Sequence, residues 1–172
     1  RHQHDLLAPA FQRFPDQWLP HAVLVEGTAL FDATLLEHGG RWWLLASASD
    51  GAGSSSDMLV AFFADRIDGP WKPHRGNPIL IDRASARPDG AFVRVGKRIV
   101  RPVQDGTMGY GGGLGLSDLI RLDEDAVEFS QPVRILGARS WPHKRIHTMN
   151  RAGRLEVIDG LAEVRRVRGN AA

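Results

Sequence analysis

Three stretches of this chain share one layout: EHGGRWWLL at 37–45, RVGKRIV at 94–100 and NRAGRLEVI at 150–158. In each, a glycine is followed by a basic residue and then an apolar run, the pattern of a tight β-hairpin. The glycines Gly40, Gly96 and Gly153 lie 56 and 57 residues apart. A second echo agrees: Trp18 and His21 in FPDQWLPH return 53 residues later as Trp71 and His74 in DGPWKPH. Four strands of about six residues with their turns use that length, so the repeat predicts four-stranded β-propeller blades. Chance similarity among hairpins of a sandwich or barrel is the plainer alternative, and both are all-β.

The rest of the chain fits this class. Its apolar segments are short, rich in Val, Ile, Leu, Phe and Trp, and separated by Gly, Pro, Asp and Asn, and none keeps a 3.6-residue period for long. With 172 residues, 42% of them hydrophobic, it has the size of one domain with a real core. The repeat units fall roughly at 11–63, 64–120 and 121–168. Three units do not close a ring, which typically has about 4 to 8 blades. The expectation is therefore part of a larger ring, or sheet edges completed by a partner such as a second copy. A start at Arg1 rather than methionine is expected of the later part of a longer polypeptide.

Charge and composition narrow the function classes. Lys and Arg number 22 against 20 Asp and Glu, and the basic residues are scattered apart from EVRRVRGN near the C-terminus. A phosphate-tracking surface needs a concentrated patch, so no nucleic-acid partner is expected. The absence of cysteine excludes disulfides and thiolate metal sites and suits a reducing compartment. No apolar run approaches the ~20 residues of a membrane span, and RHQHD is unlike a secretory signal. A cytoplasmic location is the simplest expectation. No cofactor is expected either: GYGGGLG breaks the G-x-G-x-x-G pattern, because starting at Gly109 its last position is Leu114.

Several motifs in order, LFDATLLEHGGRWWLLAS, DGPWKPHRGNPILIDRASARPDG, RPVQD and HTMNRAGRLEVIDG, resemble the five-bladed propeller related to glycoside hydrolase families 43 and 32. More narrowly, they are similar to the propeller on the N-terminal side of plant glucosamine inositolphosphorylceramide transferases, and to bacterial proteins in which it is joined to a formyltransferase-like domain. The resemblance spans about residues 11–160. It implies that this chain is the later three-fifths of a five-bladed ring whose first blades, with one essential hydrolase carboxylate, are missing. It also implies an adjoining transferase domain as a candidate partner.

The candidate site residues follow from both sources. Asp32, in FDATLLEHGG, is a carboxylate among apolar neighbours, costly to bury unless paired or used. It matches the D-A-T element of the hydrolases; a strand-start aspartate bonded to local amides is the plainer account. Arg87 precedes Pro88, which holds it extended, in SARPDG, which departs from the family's S-A-R-P-A-G by Asp89. Arg101 repeats the Arg-Pro arrangement, and two such guanidinium forks suit an anionic group. Arg101 and Asp105 share a strand face, whereas Gln104 faces away unless the strand bends at its end. The resemblance makes Gln104 and Asp105 part of the pocket; an ion pair with Arg101 is the alternative for Asp105. The glycines around Tyr110 predict close backbone approach, with the tyrosine ring against a sugar or in the core. His147 matches the family's H-T-L-N pattern at the pocket rim. His143 and His147 have metal-pair spacing only on a helix, and Pro142 argues for a strand; no metal is expected. The loop DGAGSSSD at 50–57 lacks calcium-loop spacing, and Trp18, Trp42, Trp43 and Trp71 are expected in the blade core.

Two functions from different classes follow. One is a carbohydrate-binding propeller recognising an anionic or amino sugar in an arginine-lined axial pocket, through Arg87, Arg101, Gln104, Tyr110 and His147. The other is a glycosidase with Asp32 and Asp105 as its two carboxylates, against which stands the lack of a glutamate in the expected motif. A purely structural interaction propeller is the third.

Overall fold

The computed structural model describes residues 5–13, 16–49, 57–109, 111–135 and 145–161. β1 (Leu6–Arg13) and β2 (Gln17–Val25) form an antiparallel pair. β3 (Leu30–His38), β4 (Arg41–Ala48) and β5 (Met58–Ala64) form an antiparallel meander. Its fourth strand comes in two pieces, β6 (Lys72–Pro73) and β7 (Leu80–Ile81), which pair with opposite ends of β5. The next sheet repeats this plan: β8 (Val93–Val95), β9 (Arg98–Gln104) and β10 (Leu114–Leu122), then β11 (Val127–Phe129) and β12 (Val133–Ile135) on opposite ends of β10. β13 (Arg145–Ala152) and β14 (Leu155–Leu161) make a last antiparallel pair. The described residues hold no α-helix, only a 3-10 turn at Gly106–Met108. None of their helices, therefore, is long and apolar enough to cross a membrane. The protein is all-β, built from partial propeller blades.

The quoted glycine stretches are the hairpins β3–β4, β8–β9 and β13–β14. Gly40 takes a φ of 76°, and Gly96 and Gly153 take 60° each, the left-handed geometry that two-residue hairpin turns require. Side chains also patch the broken fourth strands. The Asn77 amide takes the place of a backbone unit, accepting from Ala61 N and donating to Ala61 O at 2.8 Å each. In the next sheet Ser117 Oγ donates to Ser130 O at 2.6 Å, and Ser130 Oγ accepts from Asp118 N at 2.9 Å.

β4 explains why RWWLLASA reads as one continuous apolar run. Trp43 and Leu45 point into a cluster with Leu36, Leu59, Ala61, Ile99 and Leu122, shared with the following sheet. Leu44 and Ala46, on the opposite face, pack with Val25 and Phe62 towards β2. Period-2 alternation gives a strand two faces, and here both are covered by neighbouring sheets, as in stacked blades.

Two expectations shift. The four-strand period holds, but the units drawn at 11–63, 64–120 and 121–168 cut through β5 and β10. The hydrogen-bonded sheets start instead at Leu30 and Val93, because the glycine hairpins join first to second strands. The Trp18/Trp71 echo accordingly matches β2 to the outer strand region at β6, so β1–β2 correspond to the last strands of a sheet. Trp18 is not core: it is 51% exposed, whereas Trp43 is buried. Tyr110, His143 and most of DGAGSSSD lie outside the described residues.

Candidate functional site

The register of β3 against β4 slips between Phe31 and Thr34, a bulge that carries Asp32. Asp32 has a φ of 51°, the one positive value at a non-glycine among the described residues. Aspartate tolerates this region better than most residues, and bulges re-aim side chains. The bulge brings Asp32 Oδ2 to 2.5 Å from Arg87 Nε, which donates to it.

Arg87 belongs to the segment 84–91, which runs beside β9 through Gln104 N→Arg87 O and Asp89 N→Pro102 O, each 3.0 Å. Arg101 fixes this segment from below. Its guanidinium, 0% exposed, donates to Ala86 O at 3.1 Å and Ser85 O at 2.7 Å and lies 4.2 Å from the Phe129 ring centre. Burial pulls its pKa down to about 9. Arg101 is therefore a core clamp and no pocket residue: the segment of 85–86 covers the face that strand alternation assigned to a ligand.

Asp105 also departs from expectation. It caps the 3-10 turn, accepting from Thr107 N at 3.0 Å and Thr107 Oγ1 at 2.5 Å, and it pairs with Arg134. The glycines that follow serve this loop: a Cβ on Gly112 would meet Asp105 O at 2.7 Å and Gly109 O at 2.9 Å. Asp105 thus has an ion pair, with Arg134 rather than Arg101, and it does not line the cavity described next.

That cavity, of about 430 Å³, is walled by two sheets and the segment that runs beside β9: Asp32, Thr34 and Leu35 of β3, Pro88, Asp89 and Ala91 of the segment, and His147, Thr148 and Asn150 of β13. Gly90 makes the third wall possible. A Cβ there would fall 1.9 Å from Met149 O, so only glycine lets β13 come this close. The approach is secured by Met149 N→Asp89 O at 2.9 Å and Ala91 N→Asn150 Oδ1 at 3.0 Å. Asp159 of β14 orients the rim. Its Oδ2 lies 3.1 Å from His147 Nδ1, and its Oδ1 accepts from Thr148 N at 2.5 Å and Thr148 Oγ1 at 2.7 Å. Burial raises the pKa of Asp159, but the bonds from Thr148 and His147 outweigh it, and the net shift is downward.

Asp89 is the residue that sequence reasoning left without a role. It is 2% exposed, its Oδ1 has only a 3.5 Å contact from Gln104 Nε2, and its Oδ2 has no hydrogen-bond partner among the described residues. Burial, then the charges of Asp32 and Asp159, push its pKa up to about 8, against smaller downward effects of Arg87 and Gln104. Of the expected residues, then, Asp32 and His147 meet in one cavity. Arg87 stands behind Asp32, and Gln104, itself buried, stands behind Asp89. The only sequence signal for Asp89 was its departure from the S-A-R-P-A-G pattern.

One solved structure shares this architecture. The GH43B protein of the Bacteroides ovatus xyloglucan PUL superimposes with a TM-score of 0.51 at 14% identity, covering 90% of this chain and 32% of that one. A thermostable family-43 glycoside hydrolase matches with a TM-score of 0.45 at 18% identity over 62% of this chain and 37% of that one. Among curated proteins, glucosamine inositolphosphorylceramide transferase 1 of Arabidopsis thaliana is 30% identical over 142 residues, 78% of this chain. The Oryza sativa subsp. japonica protein of the same name is 28% identical over 163 residues, 86% of this chain. The chain spans only about a fifth of these relatives, 18% and 22% of their respective lengths. The model of the N-terminal domain of glucosamine inositolphosphorylceramide transferase 1 matches residues 2–159, and the chain belongs to that family.

Proposed function

We propose that this domain binds a carbohydrate in the cavity between β3, the segment 88–91 and β13. The observation that carries the reading is the convergence of two sheets and the segment 88–91 on one hollow of about 430 Å³ with polar groups on every wall. That size lies within the roughly 300–1,000 Å³ of small-molecule sites. Its wall alternates groups that match sugar hydroxyls, Asp32, Thr34, Asp89, His147, Thr148 and Asn150, with the apolar Leu35, Pro88 and Ala91. The arginine-lined form of this idea is weakened, since Arg101 is sealed in the core and Arg87 is bound to Asp32. An anionic sugar loses its expected anchors by this change, and a neutral or amino sugar gains. In this reading the domain forms part of a five-bladed ring and presents a glycan to a transferase region on a longer polypeptide.

Hydrolysis is the second reading, favoured by one observation: a buried carboxyl, Asp89, whose pKa burial pushes up to about 8, borders the same cavity as the arginine-paired Asp32. The acid-and-carboxylate pair would then be Asp89 with Asp32, not Asp105 with Asp32. Titration calorimetry with methyl glycosides, alongside release of p-nitrophenol from aryl glycosides, tests both. Binding that falls at least roughly tenfold in His147→Ala, with fold intact, supports the site; glycoside turnover that vanishes in Asp89→Asn supports hydrolysis. No glycoside bound or cleaved overturns both readings.

A further inference from the structure

Each glycine turn that marks the repeat is followed by a basic residue, Arg41, Lys97 or Arg154, and carbohydrate binding gives these no role. The structure places the turns at one end of the first strands. Along β3, along segment 88–91 with β8, and along β13, the cavity residues come first and the turn last, so the hairpin tips lie at the opposite end from the cavity. The two ends differ in charge. The cavity end gathers Asp32, Asp89 and Asp159. The tips of the β8–β9 and β13–β14 hairpins read RVGKR at 94–98 and RAGRLE at 151–156, five basic residues against one acid.

A hollow of about 230 Å³ opens between these two hairpins, lined by Phe92, Val93, Arg94, Arg151 and Gly153. Both arginines are held by backbone carbonyls: Arg94 Nη2 donates to Glu37 O of β3 at 2.7 Å, and Arg151 Nε donates to Gly153 O at 3.2 Å. A guanidinium fixed through one donor keeps the others in a set direction, which lowers the ordering cost of binding. Carboxylates neutralise only part of this charge. Asp118 takes up Arg98 with bonds of 2.8–3.2 Å, and Glu156 stands 3.6 Å from Arg151 Nη1. Arg94, Lys97 and Arg154 pair with no carboxylate among the described residues.

We propose that this hollow is an anion site, and that its occupant is a carboxylate side chain from an acidic segment of a partner protein. The volume lies below the roughly 300–1,000 Å³ of small-molecule sites, which suits one side-chain group. Two guanidinium forks, one from each hairpin, match the paired acceptor oxygens of a carboxylate. Beside them Val95 is 47% exposed and Leu155 65%, apolar flanks for the partner residues next to the acid, while Lys97 and Arg154 at the turns meet further acids. An anionic bilayer fits less well: three cations without a carboxylate, Arg94, Lys97 and Arg154, fall short of the clusters of about 4–8 basic residues that hold a protein on such a surface. The site stands apart from the carbohydrate cavity, and neither depends on the other.

The test is fluorescence anisotropy of the full chain with a labelled octaglutamate peptide, and with labelled octaglutamine as the neutral probe. The expected result is octaglutamate bound at least roughly tenfold tighter than octaglutamine, with an affinity that falls as NaCl rises from about 0.05 to about 0.3 M. Arg94→Gln and Arg151→Gln are each expected to weaken binding at least roughly fivefold, and Arg94→Lys, which keeps the charge and loses the fork, nearly as much. Arg134→Gln is the control for net charge: Arg134 is paired with Asp105 at the far end of β9, and its loss is expected to change binding less than about twofold. Octaglutamate bound no tighter than octaglutamine overturns the inference. An equal loss in Arg134→Gln also overturns it, because net charge alone would then account for binding. Inorganic phosphate that displaces the peptide at lower concentration than unlabelled octaglutamate does, or co-sedimentation with phosphatidylserine vesicles without peptide binding, overturns it in favour of a small oxyanion or a membrane.

Discussion

Replacing Gly90 by alanine tests the junction on which the cavity depends. The added Cβ would lie 1.9 Å from Met149 O and 2.8 Å from its carbonyl carbon. Both are backbone atoms of β13, so no side chain can swing aside. Relief to ordinary contact near 3.4 Å requires the strand to retreat by about 1.5 Å. That retreat breaks Met149 N→Asp89 O and Ala91 N→Asn150 Oδ1, at about 1 kcal/mol each. The φ of 134° at Gly90 adds strain for any L side chain, of order 1–3 kcal/mol. The sum is roughly 3–5 kcal/mol, which for a chain of this length lowers Tm by about 6–20 °C. Gly96→Ala is the control, because a Cβ there meets nothing within 4 Å and its φ of 60° isolates the backbone cost. Scanning calorimetry reads the Tm, and amide exchange at Met149 reads the junction. A Gly90→Ala protein that melts like the Gly96→Ala control, with the Met149 amide still protected, would refute the close approach of β13 and with it the third wall of the cavity.

Three further predictions address other parts of the structure. Asp89 has a folded pKa raised to about 8, so its contribution is fully present below the unfolded carboxyl value near 3.9 and is lost as pH rises through about 8, at up to about 1.4 kcal/mol per pH unit. Thermal melts between pH 5 and 8 should therefore fall with pH more steeply in the native protein than in Asp89→Asn; parallel curves would sink this. Asn77→Ala leaves Ala61 N without a partner, while Ala61 O keeps the bond from His74 N, and denaturant unfolding should show a loss of about 1–3 kcal/mol; a loss under about 0.5 kcal/mol would mean that water replaces the amide at no cost. Asp105→Asn removes the charge paired with Arg134 at a cap, so it should lower Tm slightly and leave glycoside affinity within about twofold. A tenfold loss of affinity would return Asp105 to the site.

The period of the fold was legible because a tight hairpin turn leaves a chemical mark: glycine at positive φ, a polar flank, then an apolar strand. Phase left a weaker mark. β2 and the stretch around β6 share a Trp-x-Pro-His sequence, yet Trp18 is exposed whereas Trp71 packs against the cluster around Leu44. The same local motif meets different neighbours, and only the neighbours set burial. Asp32 could be read from its own strand, since an acid among Phe31, Leu35 and Leu36 is anomalous wherever that strand lies. Arg101 could not. Alternation placed it on the same face as Asp105 but gave no account of what covers that face, and the covering segment, with the carbonyls of Ser85 and Ala86, lies some fifteen residues earlier.

Asp89 and Asp159 carry this argument furthest. Neither is unusual in its own strand: one follows Arg-Pro in a loop and the other precedes a glycine in LEVIDGL. Their consequence comes from assembly. Gly90 admits β13, the register of β13 slips between Ile146 and Met149 where it pairs with β14, and Asp159 then lies within reach of His147 and Thr148. Only with these sheets in place do the charges of Asp32 and Asp159 act on Asp89. A propeller strand shows its own half of a wall, while the charge that a ligand meets is the sum over strands far apart in sequence. In the sequence the two guanidinium forks pointed to an anion; in the assembled cavity one is spent on Asp32, the other on the core, and the oxygen left over is that of a carboxyl.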